Sequence, residues 1–147
     1  MKVASPVQEF SLTTSLSCRI LLVDDFQPWR QFLFSLLGPR KQLQVVGEAQ
    51  DGSEAIQKAK ALKPDLVLLD IGLPNLNGIE AASQIHRANA NARIIFVSEN
   101  NDPDIVTAAL RNGAHGFVRK ADARRELLPA IEAVLRGERF VNRRLNR

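Results

Sequence analysis

The chain has 147 residues, of which 45% are hydrophobic and 24% charged, and its formal net charge is +4. These values are ordinary for a soluble globular protein of one domain with a single core, and no apolar stretch approaches the roughly 20 residues that a membrane span requires. The N-terminal segment lacks the basic and apolar regions of a secretory signal, and the single cysteine, Cys18, has no internal disulfide partner, so we expect a cytoplasmic protein.

Short apolar runs alternate with helical patterns along most of the chain. Residues 1–17 are rich in Ser, Thr and Gln without a clear period, and we expect a disordered extension there. In chain order, the predicted elements are strand 18–24, helix 28–37, strand 43–48, helix 51–62, strand 65–70, helix 79–89, strand 93–98, helix 102–112, strand 115–119 and helix 122–136. We assign residues 18–137 to the domain and 138–147 to a basic tail.

Capping and breaking residues support these helix boundaries. Pro28 suits a first helical turn, and Asp51 followed three residues later by Glu54 is a capping pattern. Asp102 before a proline opens another helix, and Gly137 closes the last one. The basic tail beyond Gly137 lacks the interleaved aromatic residues of a stacking surface, so we interpret it as a solvated terminus rather than a nucleic-acid site.

Five strand–helix pairs predict an α/β domain. Parallel strands need crossover connections, and helices on both faces of the sheet follow from right-handed crossovers. The runs over 65–70 and 93–98 are almost continuously apolar, as expected when helices cover both faces. The sequence therefore predicts a doubly wound, five-stranded parallel sheet.

Polar and charged residues stand at the ends of four of these strands. Asp24 and Asp25 end the first run, Asp70 the third, Ser98 the fourth and Lys120 the fifth. Taken singly, each has a plain structural interpretation as a cap, a turn residue or a surface charge. Because ligands bind at the carboxyl ends of strands in such sheets, we expect the five side chains to converge on one site.

The chemistry of this set favours a divalent cation and a phosphoryl group. Mg²⁺ prefers oxygen ligands and keeps several waters, so one or two carboxylates with phosphate oxygens suffice. Clustered carboxylates repel each other, and a cation relieves that repulsion. A carboxylate can also attack phosphorus to give an aspartyl phosphate, while a metal and a lysine balance the charge of the transferring group.

Over residues 18–140 the chain resembles the receiver domain of two-component response regulators, most closely those of the NarL/LuxR type. The resemblance rests on a joint pattern: Asp24-Asp25, Asp70-Ile-Gly-Leu-Pro74, Asn77-Gly78, Ser98, Lys120, the segment Gly113–Lys120 and the closing segment Val134–Val141. It implies a flavodoxin-like receiver fold with strand order 2-1-3-4-5. It also implies phosphorelay signal transduction rather than enzymatic turnover, with a sensor histidine kinase or a histidine phosphotransfer protein as partner.

The resemblance also assigns roles to individual residues. Asp70 would be the phosphoacceptor. Asp24, Asp25, Asp70 and the backbone carbonyl of Gly72 would hold Mg²⁺.

Lys120 and Ser98 would bind phosphoryl oxygens, and Phe117 would turn inward together with Ser98. A homodimer through the face of helix four, strand five and helix five is compatible with this family. The domain itself would bind neither nucleic acid nor membrane.

Several positions depart from the usual pattern of receivers. Glu99 stands where a small residue is usual, so its carboxylate can crowd or repel a phosphodonor. Gly72 and Asn100 stand where receivers tune dephosphorylation, and Gly72 has no side chain to shield an acyl phosphate. Ala121 replaces a proline that is common after the lysine, so the Lys120–Ala121 bond is either trans or a strained cis bond.

Three alternatives remain open from the sequence. The chain can be the receiver half of a helix-turn-helix transcriptional regulator, because receivers of the NarL/LuxR type normally continue into such a domain. It can be a phosphorylation-silent receiver that binds partners, with Glu99 blocking access. It can be a phosphatase or phosphotransferase that uses Asp70 as nucleophile, although no further general acid or base is evident.

Overall fold

One parallel sheet forms the centre of the protein in this computed structural model, which describes residues 17–99 and 102–141. Its strands within those ranges are β1 (Cys18–Val23), β2 (Leu43–Ala49), β3 (Leu66–Leu69), β4 (Arg93–Ser98), β5 (Gly116–Arg119) and β6 (Phe140–Val141). They lie in the order β2-β1-β3-β4-β5-β6, and every neighbouring pair is parallel. The predicted α/β class and the order of the first five strands are confirmed.

The predicted number of strands is wrong, because β6 adds a sixth. Its two residues pair with β5 in the register Gly116 with Phe140 and Phe117 with Val141. A two-residue strand is too short to show an alternating pattern, and these residues fall in the predicted basic tail. Residues 142–147 of that tail, residues 1–16 of the predicted extension, and Asn100 lie outside the described residues.

Five α-helices connect or follow the strands in the described part of the chain. They are α1 (Gln27–Leu37), α2 (Gly52–Leu62), α3 (Gly78–Ala88), α4 (Pro103–Arg111) and α5 (Ala123–Leu135). The helix predicted from residue 122 is preceded by a 3₁₀ turn, Lys120–Asp122, that links it to β5. None of the described helices is long and apolar enough to cross a bilayer.

The helices form two layers, one on each face of the sheet. One core cluster joins α2, α3 and α4 to Leu21, Val23, Val67, Leu69, Phe96 and Phe117. The other joins α1 and α5 to Ile20, Leu22, Leu68, Val97 and Val118. Successive strand residues therefore point to opposite cores, which explains why these strands read as continuous apolar runs.

Side-chain caps fix the start of three helices. The Asp51 carboxylate accepts a hydrogen bond from the backbone N–H of Glu54 at 2.8 Å, and Asp102 accepts one from Asp104 at 2.8 Å. Asn77 caps α3 in the same way. The caps predicted for α2 and α4 are confirmed, and each satisfies a backbone donor that the first helical turn leaves without a partner.

A glycine at the start of α3 allows that helix to approach the end of β3. The backbone N–H of Gly78 donates to the carbonyl of Ile71 at 2.8 Å. A Cβ atom at position 78 would press into the backbone of Asp70 and lie 2.6 Å from the Cα of Ile71. Only a residue without a side chain fits here, and this contact holds the segment that carries Asp70.

Candidate functional site

The side chains that follow the strands meet in one open pocket at the carboxyl edge of the sheet. Asp24 and Asp25 follow β1, Asp70 follows β3, Ser98 ends β4 and Lys120 follows β5. The pocket has a volume of about 900 Å³. It is lined by Asp24, Asp25, Phe26, Trp29, Asp70, Ile71, Gly72, Ser98, Glu99, Arg119, Lys120 and Ala121. The predicted convergence is therefore present in the structure.

Three carboxylates form the floor of the pocket. One oxygen each from Asp24, Asp25 and Asp70 lies within 4.8 Å of the other two. Asp24 and Asp70 are 2% and 9% exposed, whereas Asp25 is exposed. Burial raises the pKa of Asp70; the charges of Asp24 and Asp25 add to that rise, and the Lys120 ammonium opposes it. An added cation would relieve the repulsion among these groups.

The donor set of the floor suits a hard divalent cation. Carboxylate oxygens are the ligands that Mg²⁺ prefers, and the exposed side of Asp25 leaves room for the waters that Mg²⁺ retains. Gly72 lies in the same pocket, next to Asp70, and its backbone N–H donates to a carboxylate oxygen of Asp70 at 3.3 Å. The residues present fit a metal of this kind.

Lys120 supplies a cation inside the carboxylate cluster. Its Nζ lies 2.6 Å from Oδ2 of Asp24 and 3.7 Å from Oδ2 of Asp70. Burial lowers the pKa of Lys120, but the hydrogen bond to Asp24 and the negative charges of Asp70 and Asp24 outweigh it and leave the pKa above its ordinary value. The ammonium therefore stays charged at neutral pH, beside the carboxylate proposed to react.

Ser98 and Phe117 are both buried next to the pocket. Ser98 is 2% exposed, and it pairs with Arg119 across β4 and β5. Phe117 is fully buried, and its ring centroid lies 6.2 Å from that of Phe96 on the neighbouring strand. The aromatic side chain is thus turned into the core, on the strand that leads to Lys120.

Three of the positions that depart from the usual pattern, Gly72, Glu99 and Ala121, line the pocket. Glu99 is exposed and lines the mouth. A Cβ atom at Gly72 would meet no atom within 4 Å, so this side of Asp70 is open. No peptide bond in residues 17–99 and 102–141 is cis, so the Lys120–Ala121 bond is trans and carries no cis strain.

Two site residues on α1 were not identified from the sequence. Trp29 lines the pocket, with its ring centroid 5.1 Å from Nζ of Lys120. Arg30 is buried and contacts both Asp24 and Glu48. The available signal for Arg30 was its helical spacing from Leu33 and Leu37, which puts a charge on the buried face, whereas helical periodicity alone does not separate Trp29 from core residues.

Comparison with known proteins supports the predicted resemblance. A sequence profile of the response regulator receiver domain matches residues 20–132. Response regulator GacA of Pseudomonas viridiflava is 34% identical over 124 residues, which cover 84% of this chain and 58% of that protein. The nitrate/nitrite response regulator protein NarL of Escherichia coli K12 is 34% identical over 126 residues, which cover 86% and 58%. The chain thus spans somewhat under three fifths of these relatives.

A solved structure shows the same fold over most of both chains. The two-component response regulator of the LuxR family from Aurantimonas sp. SI85-9A1 superposes with a TM-score of 0.84 at 35% sequence identity. The match covers 88% of this chain and 93% of that chain. The similarity to NarL/LuxR-type receivers predicted from the sequence is confirmed by these matches.

Proposed function

The chain belongs to the response regulator receiver domain family, and on that premise we propose that Asp70 accepts a phosphoryl group in a Mg²⁺-dependent reaction. The observation that carries the proposal is the cluster of Asp24, Asp25 and Asp70 around the Lys120 ammonium. The donor would be a phosphohistidine on a sensor histidine kinase or on a histidine phosphotransfer protein. We place this signalling role in the cytoplasm.

The proposed step is a phosphoryl transfer between two side chains. A carboxylate oxygen of Asp70 attacks phosphorus, the P–N bond of the phosphohistidine breaks, and the departing imidazole nitrogen keeps the bonding pair and takes a proton. Asp24, Asp25, Asp70 and the Gly72 carbonyl would hold Mg²⁺. When bound, Mg²⁺ would neutralise charge on the phosphoryl oxygens.

Lys120 and Ser98 are proposed to bind the transferred group. The Lys120 ammonium lies 3.7 Å from Asp70, close enough to pair with a phosphoryl oxygen attached there. Ser98 ends the neighbouring strand inside the same pocket, and its hydroxyl can donate to a second oxygen. A shift of Ser98 toward the phosphoryl group, beside a Phe117 ring that is already turned into the core, would change the face of α4, β5 and α5 that partners contact.

A second candidate function follows from the length of the relatives. GacA and NarL are longer than this chain, which covers 58% of each. The receiver is therefore also proposed as the regulatory half of a transcriptional regulator, with dimerisation through α4, β5 and α5. A complete gene sequence with about 60 further residues in a helix-turn-helix pattern would support this candidate.

The decisive experiment is intact mass after incubation with acetyl phosphate. We expect a gain of about 80 Da, one phosphoryl group, in the presence of Mg²⁺ and no gain in its absence or in Asp70→Asn. A folded protein that binds Mg²⁺ without gaining mass would instead support a silent receiver. Repeating the incubation with Glu99→Ala would then show whether the Glu99 carboxylate blocks access.

A further inference from the structure

Trp29 places the face of its indole beside the Lys120 ammonium. The distance from Nζ to the ring centroid is 5.1 Å, within the range of a cation–π contact. The same Nζ contacts Asp24 at 2.6 Å and Asp70 at 3.7 Å. The ammonium is therefore enclosed by two carboxylates and one aromatic face, and its side chain is only 13% exposed.

The indole is itself held in place by a stack along α1. The rings of Trp29 and Phe32 lie 4.9 Å apart with an interplanar angle of 32°. The guanidinium carbon of Arg124, in the first turn of α5, lies 5.1 Å from the Phe32 ring centroid. Two cations thus flank an aromatic pair, and the Trp29 ring has neighbours on α1 and in the 3₁₀ turn after β5 that restrict its rotation.

Without the indole of Trp29 beside it, the Lys120 ammonium would have freedom to leave the carboxylate cluster. A lysine side chain has a flexible four-carbon stem and a strongly hydrated ammonium group that favours water. The indole covers one side of the ammonium and favours its position beside Asp24 and Asp70. That is where an oxygen of a phosphoryl group on Asp70 would arrive.

We propose that Trp29 is a positioning residue for the phosphoryl transfer, acting through Lys120 by holding its ammonium between Asp24 and Asp70. This inference rests on the proposed function of Asp70. A contact of this type between a desolvated ammonium and indole corresponds to between about twofold and about thirtyfold in rate if it is lost in the transition state.

Three variants of α1 test the proposal. Trp29→Leu keeps an apolar side chain but removes the aromatic face, and Trp29→Phe keeps a smaller face. Phe34→Leu is the matched control, because Phe34 lies on the same helix, is 51% exposed and does not line the pocket. With radiolabelled acetyl phosphate and saturating Mg²⁺, we expect initial rates in the order wild type, Trp29→Phe, Trp29→Leu, with Phe34→Leu equal to wild type.

A double-mutant cycle separates positioning from packing. In a Lys120→Ala background, Trp29→Leu should change the rate by less than about twofold, because the group it positions is gone. An equal loss in both backgrounds would show that Trp29 only supports the fold, and would overturn the proposal. Thermal melts of each variant identify any that fail to fold.

A measurement on the wild-type protein does not depend on any variant's activity. The ring current of the indole should move the NMR signals of the Lys120 methylene protons next to Nζ upfield. Trp29→Leu should return them to the positions of an ordinary lysine, and unshifted signals in the wild type would contradict the contact. If the wild type gains no phosphoryl group at all, the proposed function fails, whereas normal phosphorylation of Trp29→Leu overturns the role of Trp29 alone.

Discussion

The guanidinium of Arg30 donates a hydrogen bond to the backbone carbonyl of Asp24 at 2.6 Å. Arg30 is 8% exposed, and its Nε also donates to Glu48 at 2.7 Å. One buried cation thus joins α1 to the ends of β1 and β2. Since Asp24 and Asp25 are adjacent, this contact fixes the backbone that carries two of the three clustered carboxylates.

We expect Arg30→Met to destabilise the protein by about 1–3 kcal/mol, because a buried carbonyl loses its donor while an apolar side chain of similar length remains. Urea unfolding measures the change. Arg40→Met is the matched control, since the Arg40–Glu132 pair spans 4.0 Å between exposed side chains. Its effect should be within about 0.5 kcal/mol, and equal losses in the two variants would contradict a special role for Arg30.

Replacement by alanine should lower the stability of the protein at one glycine near Asp70 and leave it almost unchanged at another. At Gly78 the new Cβ would press into the backbone of Asp70 and Ile71, so α3 or the segment after β3 must move. We expect Gly78→Ala to cost at least about 1–3 kcal/mol and to weaken Mg²⁺ binding measured by calorimetry. At Gly72 the same atom meets nothing within 4 Å.

Gly72→Ala should therefore leave stability within about 0.5 kcal/mol of the wild type. It serves as the control for Gly78→Ala, because both substitutions add one methyl group close to the same carboxylate. No loss of stability in Gly78→Ala would show that the approach of α3 to β3 does not constrain the site, and an equal loss in Gly72→Ala would show that the loss is not specific to that approach.

The site residues whose location could be predicted from the sequence are those that directly follow a strand. An apolar run that ends in an acid places that acid at the sheet edge, and parallel strands bring all such edges together. Asp24, Asp70 and Lys120 meet for this reason. The functional roles of these residues, which the fold does not test, stay predictions.

Other contacts depend on how helices pack, which periodicity does not encode. The spacing of Trp29 and Phe32 predicts a shared helix face but not that the indole lies beside Lys120, about ninety residues later in the chain. Arg30 is buried despite its charge, and its partners at Asp24 and Glu48 satisfy donors of its guanidinium there. The short strand β6 gave no pattern because it has only two residues.

The raised pKa of Asp70 predicts a pH-dependent gain in stability for Asp70→Asn. A carboxyl group whose pKa is higher in the folded state binds its proton more tightly there, so folding stability falls as pH rises from the unfolded pKa toward the folded one. Asparagine cannot ionise, so Asp70→Asn removes this loss of folding stability. We expect Asp70→Asn to melt a few degrees higher than the wild type at pH 7 without Mg²⁺.

The gain should disappear as the pH falls to about 4, where the carboxyl group takes up its proton in the unfolded chain as well. Adding Mg²⁺ should raise the melting temperature of the wild type more than that of Asp70→Asn, because the ion relieves the same repulsion. Asp104→Asn, outside the cluster in the first turn of α4, is the control and should show no gain. A gain that is independent of pH would argue against the ionised Asp70 as its cause.

The Glu99 carboxylate should slow phosphorylation by anionic phosphodonors. Its exposed carboxylate lines the mouth of a pocket that already contains Asp24, Asp25 and Asp70. Acetyl phosphate is an anion and must pass this charge, so removal of the carboxylate should raise the initial rate of phosphorylation by about two- to fivefold at low ionic strength. We expect Glu99→Ala and Glu99→Gln to differ little from each other.

The comparison of these two variants separates repulsion from crowding, because glutamine keeps the size of Glu99 without its charge. If repulsion dominates, the advantage of both variants over the wild type should shrink at about 1 M salt, where the screening length falls to about 3 Å. If Glu99→Ala is fast and Glu99→Gln remains slow at every salt concentration, the side chain acts by its bulk. Equal rates for all three proteins at low salt would show that Glu99 does not gate the site.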